Sequence, residues 1–233
     1  MNNIAEQLRL AYQNLTQKCQ QFKLSNNNVQ LIAVSKTKPA TDILSAYAAG
    51  QRKFAENYPQ ELVEKQLLLA DKTDIEWHFI GPLQSNKTNL VAQSAQWVHS
   101  IDRFKIAKRL AQQRPVALGK LKVLIQINIS QEASKAGIAP QMMLELAGQI
   151  AALPQLALKG LMAIPAAGIN DESSFKAMQQ LSLQLQQHYP DATELSMGMS
   201  NDWPLALKNG ATMIRLGTVI FGERAYNKGP NEE

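Results

Sequence analysis

Two kinds of apolar pattern alternate along the chain. Ile4, Leu8, Tyr12, Leu15, Cys19 and Phe22 recur at helical spacing and predict one amphipathic N-terminal helix. The polar run Ser25-Asn26-Asn27-Asn28 ends it. β-rich runs and helical stretches then take turns. Residues 31–35 predict a first strand, and Pro39-Ala40-Thr41 opens a helix with Ile43, Leu44, Tyr47 and Ala48 on one face, closed by Gly50. Residues 53–57 predict strand two, followed by a helix carrying Leu62, Val63, Leu67 and Ala70. Strand three covers 77–81, with a helix near Asn86. Strand four covers 97–101, with Asp102 as the N-cap of a helix that carries Ile106 and Leu110.

The second half keeps the rhythm. Residues 121–128 form a continuous aliphatic run of the kind found in buried parallel sheets, and a helix with Met142, Met143, Leu146 and Ile150 follows. Strand six covers 156–164 and is interrupted by Gly160. Asp171 caps a helix with Phe175, Met178, Leu181 and Leu185 that stops before Pro190. Residues 194–198 predict a short strand seven. Residues 201–209 predict a helix with Pro204 near its start and Gly210 after its end, and 213–221 contain strand eight. Such alternation implies an α/β fold with a parallel sheet. Eight units favour a closed (β/α)8 barrel of the TIM type over an open doubly wound sheet, with residues 1–25 as an extra helix packed on it.

Composition narrows the picture. At 233 residues, the chain is close to the roughly 250 typical of such a barrel, and nothing marks a linker, so 1–233 reads as one domain. The polar tail 227–233 is expected to fray. Cys19 is the only cysteine, which excludes an internal disulfide and a cysteine metal cluster. The start carries Glu6 and no continuous apolar stretch, against a secretory signal, and no apolar run approaches the roughly 20 residues of a membrane span. The cytoplasm is the expected compartment. The formal charge is +5, but the Lys and Arg residues are scattered, so neither nucleic acid nor a membrane is expected as a partner. His78, His99 and His188 lack metal-ligand spacing, and no metal is expected. His78, between Trp77 and Phe79, reads as a core or rim residue. Dinucleotide, P-loop and nucleophile-elbow motifs are absent.

The active sites of (β/α)8 barrels lie at the C-terminal ends of the strands. There the sequence places Lys36 and Lys38 after strand one, Asn57 after strand two and Gly81-Pro82-Leu83-Gln84 after strand three. Asn128 ends strand five, with Lys135 in the next loop, and Ser200 follows strand seven. A lysine at a strand end is ordinarily solvated. Partly desolvated at a barrel mouth, it has a lowered pKa and condenses with aldehydes. The loops after strands seven and eight are the usual phosphate site of the fold. Ser200 stands at or just before a helix start, Gly217 allows close backbone approach, and Thr218 adds a hydroxyl, although each also fits ordinary turn chemistry. Arg215, inside strand eight, either makes a structural ion pair or points at a ligand.

Certain stretches fall together in order and spacing. They are residues 33–39 (AVSKTKP), Glu56-Asn57-Tyr58, residues 77–87 (WHFIGPLQSNK), Gln126-Ile127-Asn128-Ile129, Ser134-Lys135-Ala136-Gly137, residues 160–165 (GLMAIP), residues 196–200 (SMGMS) and Arg215-Leu216-Gly217-Thr218. Together they resemble the pyridoxal-phosphate homeostasis family, relatives of the N-terminal barrel of alanine racemase, over about residues 31–222. The resemblance implies pyridoxal 5'-phosphate as cofactor, held as a Schiff base on Lys36. Ser200, Gly217 and Thr218 would bind its phosphate, Arg215 would face the pyridine nitrogen, and Asn57 would contact the ring. Lys38 and Lys135 match basic positions of the family without an assigned role. Ala55 stands where a glycine is usual, and Asn201 where an aspartate is common.

The function so implied is that of a non-catalytic, monomeric carrier that keeps free pyridoxal phosphate low, with pyridoxal-phosphate-dependent apoenzymes as recipients. Two enzymatic readings compete. An amino-acid racemase needs a second base, a tyrosine brought by a further domain, and this sequence ends at Glu233 directly after the barrel. An arginine against the ring nitrogen also leaves that nitrogen unprotonated and the ring a poor electron sink, which weakens such chemistry without excluding it. A Schiff-base aldolase acting on sugar phosphates fits a lysine beside a phosphate site equally well, and only the family motifs demote it.

Overall fold

The computed structural model describes residues 3–25, 28–130, 136–165 and 172–223. Eight strands, β1 (Gln30–Val34), β2 (Lys53–Glu56), β3 (Glu76–Phe79), β4 (Trp97–Ile101), β5 (Leu121–Ile127), β6 (Leu156–Ala163), β7 (Glu194–Ser196) and β8 (Met213–Leu216), pair in parallel in sequence order. β8 returns to pair with β1, aligning Gln30 with Met213 and Ala33 with Leu216, and this closes the barrel. The expected α/β (β/α)8 barrel is therefore the fold. Its helices are α1 (Ile4–Gln21), α2 (Ala40–Ala48), α3 (Pro59–Leu68), α4 (Thr88–Ser94), α5 (Phe104–Gln113), α6 (Met143–Ala151), α7 (Glu172–His188), α8 (Trp203–Lys208) and α9 (Thr218–Phe221).

Period-two alternation sorts the strand residues into two cores. Outward-facing side chains such as Phe54, Phe79, Val98 and Val123 meet the helices in one large apolar cluster. Inward-facing Ile32, Ala55, Trp97, Leu124, Met162 and Met213 form a second, smaller cluster. On the same inward face lie the buried polar residues His78, His99, Gln126, Ser196 and Arg215. The expected N-terminal helix is present as α1, which packs against α2 and α9. It buries Ile4, Leu8, Ala11, Leu15 and Cys19, and its start is capped by the Asn3 side chain, which accepts from the Glu6 N–H at 3.2 Å.

Several local expectations are corrected. Ala11 sits in the buried stripe of α1 where Tyr12 was expected. Tyr12 turns outward, its hydroxyl donating to Gln51 Oε1 at 2.7 Å. On α2 the buried positions are Ile43 and Ala46, with Leu44 exposed. On α3 they are Leu62 and Lys65, with Leu67 exposed. The N-cap of α5 is Arg103 in extended conformation, because the Asp102 carboxylate pairs with the Arg103 guanidinium at 2.8 Å instead of capping. α8 begins at Trp203, since Asp202 Oδ1 accepts from the Met199 N–H at 2.6 Å and holds a turn ahead of the helix. The eighth strand is short, and its continuation is the one-turn α9. Asp171 and Lys135 lie outside the described residues.

Gly160 interrupts β6 for a steric reason. Val123 aligns with Leu158 but Leu124 aligns with Gly160, so one extra residue bulges out of β6. Gly160 has φ +146°, and a Cβ there would lie 1.8 Å from the Glu194 carbonyl oxygen.

Candidate functional site

A cavity with about 600 Å3 of empty space, part of it open to solvent, lies at the C-terminal mouth of the barrel. Lys36, Asn57, Ser200, Arg215, Gly217 and Thr218 all line it. They come from the ends of β1, β2, β7 and β8, and the fold brings together all six positions singled out from sequence. Val34, Ile80, Ile164 and Met199 supply apolar walls.

Lys36 is carried on a tightly braced loop. Thr37 adopts φ +64°, a left-handed conformation unusual for a β-branched residue, and the Lys38 N–H closes the turn onto Ser35 O at 3.0 Å. A strained position of this kind costs on the order of 1–3 kcal/mol and persists where its surroundings over-determine it. Those surroundings are visible. The Thr37 N–H donates to Glu61 Oε1 at 2.6 Å, and the Lys65 ammonium donates to Ser35 O, Glu56 Oε1 and Glu61 Oε1 at 2.7, 2.8 and 2.7 Å. The Ser35 hydroxyl adds a 2.6 Å bond to the same Glu56 oxygen. Burial pushes the Glu56 carboxyl up to about 7, against the pull of the Lys65 ammonium and the Ser35 hydroxyl. Sequence reading missed this bracket; its one legible signal was the Glu61/Lys65 spacing of four on a helix.

Lys38 points away from the cavity mouth. Its ammonium donates to Phe221 O at 2.9 Å and Glu223 O at 2.7 Å, and so ties the lysine loop to the end of α9. The start of α9 faces the cavity. Gly217 is its N-cap, Thr218 its first residue, and the first N–H groups of any helix lack intrahelical partners. Gly217 has an ordinary backbone conformation; what a side chain would disturb is packing, since a Cβ would lie 3.2 Å from Val34 O. Ser200, half-buried, lies in the turn before α8.

Arg215 is 3% exposed. Its guanidinium donates to Ser196 Oγ at 2.7 Å and to Ala163 O at 3.1 Å, and it forms no ion pair among the described residues. Burial lowers it to about 10. Asn57 adds a buried side-chain oxygen without a hydrogen-bond partner. Its close approach depends on Gly81, where a Cβ would lie 2.0 Å from Asn57 O. The other side of Asn57 faces an adjoining groove with Tyr58, Lys87 and Arg103, so Tyr58 lies outside the Lys36 cavity. Among the described residues no group of three or more His, Cys, Asp or Glu is placed to hold a metal ion.

The donor set is an amine, two hydroxyls beside a glycine, an unpaired guanidinium and an orphaned amide oxygen around one cavity. This fits a phosphate-bearing aldehyde with a ring nitrogen acceptor. Residues 10–225 match the alanine racemase N-terminal domain. The chain belongs to that family. Within the family it stands with the pyridoxal phosphate homeostasis proteins. The protein of that name from Haemophilus influenzae is 52% identical over 236 residues, covering 99% of this chain and 100% of that protein. The structure of PipY from Synechococcus elongatus PCC7942 with PLP bound superposes with a TM-score of 0.81 at 39% identity, over 94% of this chain and 100% of that one. Alanine racemase from Corynebacterium glutamicum shares the family fold, with a TM-score of 0.70 at 16% identity over 97% of this chain and 62% of its own.

Proposed function

We propose that this protein binds pyridoxal 5'-phosphate as a Schiff base on Lys36 and serves the intracellular homeostasis of that cofactor. The observation that carries the reading is the convergence of Lys36, Ser200, Gly217, Thr218, Arg215 and Asn57 on one cavity. The PLP-bound structure of the relative PipY supports it. The Lys36 amine would condense with the aldehyde of the bound cofactor, C=N replacing C=O and the oxygen leaving as water. The reverse step consumes one water and returns the aldehyde, as a reversible store requires. Ser200, Thr218 and the backbone at Gly217 hold the phosphate, and Arg215, which only donates, faces the ring nitrogen. Asn57 offers its unpartnered oxygen to the ring substituents.

The role is that of a carrier without robust catalysis. The lining of the cavity includes no tyrosine, histidine, cysteine or carboxylate among the described residues, which supports that role. The working unit in this reading is a monomer, with the whole chain acting as one domain. The recipients are pyridoxal-phosphate-dependent apoenzymes in the same compartment, the cytoplasm. A lone buried thiol fits that reducing setting.

The test is spectroscopic. Purified protein loaded with pyridoxal phosphate shows a visible absorbance band, borohydride reduction fixes the label, and peptide mapping places it on Lys36. Lys36→Ala abolishes the band. Label on Lys38, or a normal band in the Lys36→Ala protein, overturns the assignment.

A further inference from the structure

A line of hydrogen bonds runs through the barrel interior from one end to the other. It begins at Arg215 in the cavity, whose Nη1 lies 2.7 Å from Ser196 Oγ. Ser196 Oγ lies 2.9 Å from His99 Nδ1, His99 Nε2 lies 2.9 Å from His78 Nδ1, and His78 Nε2 lies 3.2 Å from Glu76 Oε1. Glu76 is the first residue of β3 and so stands at the opposite, N-terminal face of the barrel. The four inner residues are at most 3% exposed, and the Glu76 side chain is 25% exposed.

The chemistry of the two ends fixes the direction of every link. A guanidinium only donates, and a carboxylate only accepts. Between them stand one hydroxyl and two imidazoles, each of which, when neutral, gives one hydrogen and takes one. Only one arrangement satisfies all four links with both rings neutral. Arg215 donates to Ser196, the Ser196 hydroxyl to His99 Nδ1, His99 Nε2–H to His78 Nδ1, and His78 Nε2–H to Glu76. The surroundings favour neutral rings. His78 stacks on Trp97 with 5.6 Å between ring centroids, and Lys53, Lys122 and Glu76 are the charged groups around it. His99 faces Arg215 and His78. Burial holds both imidazoles below the usual histidine range. Glu76 stays ionised against burial through His78 and Lys122, the latter at 3.2 Å.

We infer that Glu76, His78, His99 and Ser196 are positioning residues, a one-way relay that orients the buried Arg215 guanidinium toward the cavity and couples it to a carboxylate at the far end of the barrel. Arg215 makes no salt bridge among the described residues; its hydrogen-bond partners are Ser196 Oγ and Ala163 O, and the Asp202 carboxylate acts on it only at longer range. Its remaining N–H donors are then aimed by the relay and by Ala163 O. That these donors meet the ring nitrogen of pyridoxal phosphate rests on the function proposed above; the relay itself does not.

Two measurements keep the two readings apart. The first uses protein without added cofactor. The chain has 3 histidines, so 15N spectra of histidine-labelled protein are simple to assign, with His188 as the exposed reference. Both His78 and His99 are expected neutral, with the proton on Nε2, at pH 7 to 8, above the ordinary histidine range. A charged ring, or an Nδ1–H form of either residue, overturns the relay whatever the cofactor does. The second follows the pH midpoint of the visible band in the loaded protein. Glu76→Gln removes the distant charge and is expected to move the midpoint by at least ~0.3 pH, whereas in a Ser196→Ala background, with the relay already cut, it moves nothing. An equal shift in both backgrounds, or none in either, overturns the coupling. A loaded wild type with no band at all counts against the cofactor and leaves the histidine spectra to decide the relay.

Discussion

Glu56 and Lys65 stand directly behind the loop that carries Lys36, with side chains 0% and 5% exposed. Removing the cation leaves a buried carboxylate without its partner, so Lys65→Ala is expected to cost about 3–5 kcal/mol in urea unfolding. The carboxylate itself has a pH signature. Its folded-state value is raised to about 7, above its ordinary value of 4.5. A raised carboxyl binds extra protons in the folded state, so its contribution is complete below the ordinary value and is lost as pH rises through about 7. Glu56→Gln should therefore gain on the wild type as pH climbs from 5 to 8. His78 and His99 act oppositely in that window, since depressed imidazoles lose stability as pH falls, but they are common to both proteins and cancel in the difference. A stability gap independent of pH would show that Glu56 does not titrate there. Beyond the Glu61/Lys65 spacing, this was not legible beforehand, because a lysine buried against a charge is a product of tertiary contact. The six cavity residues were legible, since a barrel puts its chemistry at strand ends and strand ends can be counted. The relay was not: its links span 21 and 97 residues of sequence and follow no motif spacing.

At the scale of elements, the strands were readable from aliphatic runs, while helix faces were read less well. α2 presents Leu44 and α3 presents Leu67 and Leu68 to solvent, and no periodicity in so short a helix distinguishes Leu67 from Leu62. The bulge in β6 was visible only as a glycine in a strand. Its demand is steric: Gly160→Ala sets a Cβ against the β7 backbone at Glu194 O, which is rigid. The expected cost is about 3 kcal/mol or more, read as a fall in the denaturation midpoint, and a neutral result would mean that β6 and β7 part easily. The turn into α9 makes a different demand. At Gly217 the nearest backbone atom is 3.2 Å from a Cβ, a contact relieved by a few tenths of an ångström. Gly217→Val should leave the fold standing yet weaken retention of pyridoxal phosphate, because its bulk occupies the approach to the N–H groups of α9. Unchanged retention during dialysis would move the phosphate elsewhere.

The whole molecule bears on catalysis. The barrel closes on itself in sequence order, its mouth gathers the six residues that line the Lys36 cavity, and its interior holds the smaller apolar cluster and the polar relay. Lys36 lines the cavity from the β1 side and would move a proton on that side alone. Inverting an α-carbon needs a second acid or base at hydrogen-bond reach on the other face. Tyr58, next to the lining residue Asn57, is 55% exposed and lines the neighbouring groove, and His78 and His99 are sealed within the barrel with their nitrogens already engaged. Arg215 works in the same direction, since a donor that keeps its proton at about 10 leaves a facing ring nitrogen unprotonated at neutral pH. The loaded protein is therefore expected to show no significant racemisation of alanine or other common amino acids in a chiral assay at saturating substrate. Turnover in the ordinary enzymatic range of roughly 1–1,000 per second, lost on Lys36→Ala, would replace the carrier with a racemase. It would also require a proton donor that reaches the cavity from outside the residues lining it, and a search for that group by solvent-isotope exchange at the α-carbon would then be the next measurement.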